Sequence, residues 1–140
     1  MKKDLSMFVL NLVTPERKLV TNEEIEDVIV PGETGQMEIL PGHAPLVGTL
    51  GVGVLKYRLK GSKDYTPVVV SWGYLSVHPE GVSILAETAD SLEEIDRKQA
   101  EEAARQAQSQ LVDPYIDMDQ IKKAQRDLAK ANAQLEALNS

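Results

Sequence analysis

Apolar positions recur at every second residue through the first part of this chain. Phe8, Leu10 and Leu12 alternate with Val9, Asn11 and Val13, and further strand-like runs occupy residues 18–21, 25–30, 36–40, 53–59, 67–71, 74–78 and 82–86. Successive side chains of a strand point to opposite faces, so these runs predict strands with one face buried. Thr14-Pro15, Pro31-Gly32, Lys60-Gly61-Ser62-Lys63 and His78-Pro79-Glu80-Gly81 punctuate them. Proline presets φ and glycine permits positive φ, which is what tight reversals require. Many short strands so separated predict an antiparallel β-sandwich or flattened barrel.

The period changes near Ala89. All 9 glycines, the single Trp, the single Phe and every proline but Pro114 precede it, whereas alanine, glutamine and charged residues dominate afterwards. Asp96 with Gln99, and Asp117 with Gln120, have the spacing of capping pairs that satisfy orphan amides at a helix start. After the first cap, Ala100, Ala103, Ala104, Ala107 and Leu111 share a helical face, and Val112-Asp113-Pro114-Tyr115 breaks the pattern. After the second, Ile121, Ala124, Leu128, Ala131, Leu135 and Leu138 form a seam at alternating spacings of 3 and 4. Two helices joined by so short a break predict an antiparallel hairpin. The expected organisation is therefore α+β, with a β-sandwich domain over residues 1–89 and a C-terminal hairpin over residues 90–140. At about 25 cal/mol per Å² an alanine seam contributes little, so the hairpin should be marginal alone and suited to docking and undocking.

Charge and composition narrow the classes. With 22 acidic against 15 basic residues and a net charge of −7, the chain lacks the clustered cations that a phosphate backbone demands, so no nucleic-acid partner is expected. Without cysteine there is neither a disulfide framework nor a thiolate metal site, and 2 distant histidines offer little for zinc; no metal and no cofactor are expected. No apolar run approaches the roughly 20 residues of a spanning helix, and Met1-Lys2-Lys3-Asp4 leads into a strand pattern and not a leader, so a soluble chain with no membrane span is expected.

Five features carry candidate chemistry. His43, between Gly42 and Ala44-Pro45, reads either as a turn residue or protein contact, or as a general base; no acid–histidine–nucleophile spacing accompanies it. The glycines of residues 48–53 read as strand-edge turns, because they lack the Gly-Lys-Ser/Thr ending of a phosphate loop. Glu23, Glu24, Glu26 and Asp27 read as a solvated turn in preference to a cation site, since no Asp-x-Asp-x-Asp-Gly loop is present. Trp72 and Tyr74 read as core or strand-surface aromatics, the core reading preferred, with an interface anchor as the alternative. On the second helix Lys122, Lys123, Arg126 and Lys130 make one positive stripe, a solvated face that also suits an acidic partner.

The run Gly35-Gln36-Met37-Glu38-Ile39-Leu40-Pro41-Gly42-His43-Ala44-Pro45-Leu46 resembles the signature loop of the epsilon subunit of F-type ATP synthases. Ser71-Trp72-Gly73-Tyr74-Leu75-Ser76-Val77 followed by Val82-Ser83-Ile84-Leu85-Ala86-Glu87-Thr88-Ala89 resembles the last strands of that subunit's β domain, and Ile95-Asp96 opens the hairpin where the family does. The resemblance covers essentially the whole chain. It implies a non-catalytic central-stalk subunit, peripheral on the cytoplasmic side of a bacterial inner membrane, that couples proton flow through the c-ring to ATP synthesis. Its β domain would bind the gamma subunit and the c-ring, with Gln36, Met37, Glu38 and the lip Pro41, Gly42, His43, Ala44 and Pro45 facing the polar loops of the ring. Its hairpin would extend along gamma to inhibit hydrolysis, bringing Lys122, Lys123, Arg126 and Lys130 to an acidic beta-subunit loop beside alpha. Some members bind regulatory ATP through Ile/Leu-Asp-x-x-Arg-Ala. Here Ile95, Asp96 and Ala100 match and Gln99 replaces the arginine, so weak or absent ATP affinity is expected. Different in class are a free-standing β-sandwich adaptor and a small-molecule enzyme built on His43.

Overall fold

A computed structural model describes residues 7–139; the start Met1-Lys2-Lys3-Asp4, from which the absence of a leader was expected, lies outside them. Among the described residues seven strands, β1 (Val9–Val13), β2 (Lys18–Gly32), β3 (Gly35–Ile39), β4 (Leu46–Leu50), β5 (Gly53–Leu59), β6 (Tyr65–His78) and β7 (Gly81–Ser91), precede a 3-10 turn (Leu92–Glu94). Helices α1 (Arg97–Leu111) and α2 (Met118–Asn139) follow. Pairing runs β1–β2–β5–β6–β7 and back to β1, which closes a ring. β4 bridges β6 and the end of β2, and β3 hangs on β2 alone, giving the expected sandwich-like flattened barrel. All pairs are antiparallel except β1–β7, where Val9 sits opposite Gly81 and Val13 opposite Leu85 in parallel register.

The long strands depart from the expectation of short ones. Residues 18–21 and 25–30 belong to one strand, β2, bent by a bulge at Asn22, whose φ is 48°. Asparagine tolerates the left-handed region, and the Asn11 carboxamide holds it there, accepting from the Asn22 N–H at 2.9 Å. The hairpin after β2 reverses at Glu33-Thr34 and not at Pro31-Gly32, which still pair with Gln36 and Gly35. β4 fills a stretch read as turns only, leaving a two-residue corner, Gly51-Val52, before β5.

β6 is likewise one strand where two were expected. It pairs with β5 up to Val70 and with β4 from Gly73, so its kink at Trp72-Gly73 carries it from one layer to the other. Gly73 is obligatory there: its φ is 153°, and a Cβ would lie 2.0 Å from the Leu85 carbonyl oxygen.

The acidic cluster is not a solvated turn. All four residues lie in β2, and Asp27 is 1 % exposed, opposite Arg58 of β5. Its carboxylate accepts from Arg58 Nε at 3.0 Å and from the Tyr65 hydroxyl at 2.6 Å, the pairing a buried charge requires. Among the described residues no group of His, Asp or Glu is arranged to hold a metal ion, and no helix is long and apolar enough to cross a membrane.

One core fills the barrel, built from Phe8, Leu10, Leu12, Val28, Val30, Leu55, Leu75 and Ile84 among others. A second, smaller cluster lies outside it: Val54 and Val69, on the outer faces of β5 and β6, pack against Ala133 and Ala137 of α2. The hairpin is therefore folded down onto the β module. α2 buries two faces, because Ala124 and Ala131 of the expected seam are joined by Ala133 and Ala137, which that seam left out.

Candidate functional site

Three regions of the surface hold the candidate contact residues. The first is an apolar strip across neighbouring strands. In β6 Leu75 and Val77 point into the core, so Tyr74 points out; in β7 Ile84 and Ala86 point in, so Leu85 points out. Tyr74 lies opposite both Leu85 and Thr49, and Val47 of β4 adds to the same face. These three remain 63 %, 47 % and 78 % exposed on strands whose other face is buried. Large apolar side chains in the polar phase of three adjacent strands mark an interaction surface. The signal was available in the sequence for Tyr74, whose interface reading this placement favours; for Val47 it was hidden, because β4 was not anticipated.

The second region is the lip. Gly42, at φ 89°, turns the chain, and the His43 N–H donates to the Leu40 carbonyl at 3.1 Å. His43 is half-buried, with Nδ1 2.8 Å from the Ala44 carbonyl oxygen, so that nitrogen carries the proton and donates. This is turn-holding geometry. Pro41, Gly42, Ala44 and Pro45 are exposed, as are Gln36 and Glu38 on β3, while Met37 packs against the core. The lip follows β3 directly, so the exposed Gln36 and Glu38 and the exposed lip residues lie on one continuous segment. At the opposite end of β3, the β2–β3 turn is held to the end of β4, where the Thr49 hydroxyl donates to the Glu33 carboxylate and the Gly51 N–H donates to the Pro31 carbonyl at 2.8 Å.

The third region is the docked hairpin. Asp96 caps α1, accepting from the Gln99 N–H at 3.2 Å. At α2 the pair is reciprocal: Asp117 accepts from the Gln120 N–H at 2.8 Å and the Gln120 side chain accepts from the Asp117 N–H at 3.0 Å. Ile95, Asp96, Gln99 and Ala100 line one cleft of about 320 Å³ between the helices, and Lys123 and Lys130 line it from α2. Two residue sets assigned to separate roles are thereby brought together. The positive stripe is not uniform in this state: Lys123 pairs with Asp127 at 2.8 Å, Arg126 reaches back to Glu87 at 3.3 Å, and Lys122 is exposed.

The root of the hairpin is clamped. Arg17, in the β1–β2 turn, donates to both carboxylate oxygens of Glu94 and to the Ala89 carbonyl, each at 2.7 Å. Glu94 also accepts from the N–H and the hydroxyl of Ser91. The Arg17 hydrogen bond, followed by those from Ser91, lowers the Glu94 carboxyl from 4.5 to about 2. Nothing in the local sequence pattern announced this clamp, because its partners are far apart along the chain.

Residues 7–91 match the family model for the ATP synthase Delta/Epsilon chain β-sandwich domain. Over 128 residues the chain is 43 % identical to the ATP synthase epsilon chain of Bdellovibrio bacteriovorus, covering 91 % of each protein. It belongs to the ATP synthase epsilon-chain family. The epsilon chain of Bacillus cytotoxicus is 36 % identical over 135 residues, which include the hairpin and cover 98 % of that protein. A chain in the cryo-EM structure of the Euglena gracilis mitochondrial ATP synthase superposes with a TM-score of 0.84 at 24 % identity, covering 96 % of this chain and 82 % of that one. At that identity the likeness shows the fold, helices included. Members of the epsilon family are non-catalytic subunits of the synthase, in keeping with a surface whose distinctive features are contact faces.

Proposed function

We propose that this epsilon-family chain is the rotor-stalk subunit of a bacterial F-type ATP synthase, peripheral on the cytoplasmic side of the inner membrane. In this reading the strip of Val47, Tyr74 and Leu85 seats the gamma subunit, and the lip from Pro41 to Pro45 with Gln36 and Glu38 meets the polar loops of the c-ring. The folded-down hairpin is the state that permits hydrolysis. Released, it extends towards the catalytic head, where Lys122, Lys123, Arg126 and Lys130 meet the acidic beta-subunit loop and inhibit.

The observation that carries the reading is the exposed apolar strip on a closed, rigid β module. A rigid face with a central tyrosine is what a stable protein contact needs, because little ordering entropy is lost on binding. Tyr74→Glu should leave the fold intact, since the side chain is largely exposed, yet weaken gamma binding by about 2 kcal/mol, or roughly 30-fold. Co-purification and titration with gamma read this directly. Unchanged affinity, with an unchanged circular dichroism spectrum, would move the gamma contact to another face.

A further inference from the structure

Trp72 holds a backbone conformation that a tryptophan rarely adopts. Its φ is 36°, in the left-handed region where bulky residues are outliers, although glycine would sit there without strain. Such strain persists only where surrounding contacts fix it, and it concentrates at sites that use it. At this residue the β module also meets the hairpin. The Arg126 guanidinium stacks on the indole, with Cζ 3.8 Å from the ring centroid, and its Nη2 lies 3.3 Å from Glu87 Oε2. Glu87 stands beside Trp72 on the neighbouring strand, because Ser71 faces Thr88 and Gly73 faces Ala86 on either side. The Trp72 N–H donates to the Gly51 carbonyl at 3.1 Å, which ties the kinked residue to the corner between β4 and β5.

We propose that Trp72 and Glu87 form a guanidinium-binding site on the β module, that Arg126 of α2 occupies it, and that this catch sets how readily the hairpin leaves. An aromatic face with a carboxylate at its rim suits a planar guanidinium better than a lysine ammonium, since the ring holds the plane and the acid takes the edge. The catch lies near the middle of α2, in its N-terminal half, whereas Ala133 and Ala137 dock the C-terminal half, so the helix is held at two separate places. The site also borders the strip proposed for gamma: Trp72, Tyr74, Leu85 and Glu87 line one groove. A partner seated on the strip therefore arrives beside the catch. The consequence for inhibition rests on the functional reading above; the catch itself does not.

The chain carries its own reporter, because Trp72 is the only tryptophan. In the isolated protein Arg126→Ala should shift the emission to the red, increase acrylamide quenching and raise amide exchange in α2 about three- to tenfold. Arg126→Lys should fall in between, since it keeps the charge but loses the planar stack. Trp72→Gly relieves the strained backbone and so should fold, yet it should raise α2 exchange as Arg126→Ala does. Gln125→Ala, exposed on the same turn, should change nothing. Unchanged α2 exchange in both Arg126→Ala and Trp72→Gly overturns the catch. In a reconstituted synthase Trp72→Gly, which leaves every hairpin charge in place, should deepen inhibition; faster exchange without that change keeps the catch and removes the inhibitory role of the hairpin.

Discussion

Val69 offers the most direct measure of what the β module contributes to hairpin docking. Its neighbours Val68 and Val70 face the barrel core, so Val69 points outward, and it is 1 % exposed because α2 covers it. Val69→Ala removes two methyl groups from beneath Ala133 and Ala137. At about 0.8 kcal/mol per buried carbon, with a small allowance for the gap left behind, docking should weaken by about 1.5–2.5 kcal/mol. In a chain ending before α1 the same face is bare, and the substitution should cost only about 0.5 kcal/mol through strand preference. Hydrogen exchange on the full chain reads the first quantity as roughly a 13- to 70-fold faster exchange of α2 amides. Urea unfolding of the shortened chain, which should itself fold cooperatively as a β protein, reads the second. Equal costs at both lengths would refute the reasoning, because Val69 would then be supporting the barrel and not the helix.

Two further outcomes are expected. Glu94 has a depressed pKa, so its clamp on Arg17 contributes stability fully above pH 4.5 and loses it as pH falls towards about 2; Glu94→Gln should abolish that part of the acid dependence of hairpin docking, measured by α2 exchange against pH. Gln99 lines the inter-helix cleft without supplying a cation, so calorimetry should find no micromolar ATP binding, and Gln99→Arg should create or strengthen it; micromolar affinity in the unaltered protein would show that Lys123 and Lys130 suffice.

The alternation of side chains along the sequence carried the strands that form the core, and the capping pairs located both helix starts within a residue. What stayed hidden depended on partners remote in sequence. β2 and β6 read as four short strands because Asn22 and Trp72-Gly73 interrupt the local pattern, and only the change of pairing partner reveals each as one continuous strand. Asp27 looked solvated because Arg58 and Tyr65, which neutralise and hydrogen-bond it, arrive on later strands. Arg126 looked like one cation in a stripe because its stacking partner is on β6. The turn of the lip was legible, since Pro41, Gly42 and Pro45 specify it locally, but the half-buried His43 ring on the Ala44 carbonyl was not.

The parallel seam between β1 and β7 has a consequence for synthesis of the chain. β1 leaves the ribosome early and finds β2 at once, but its other edge must wait from residue 9 until residue 81 has emerged. At about 5–20 residues per second that interval is roughly 4–14 s, during which one row of β1 backbone groups is unpaired. The polar Asn11 in the middle of that short strand, already bonded to Asn22, discourages the exposed row from recruiting another nascent chain. Because α1 and α2 follow β7, the strand that completes the barrel emerges before the hairpin that will lie against it.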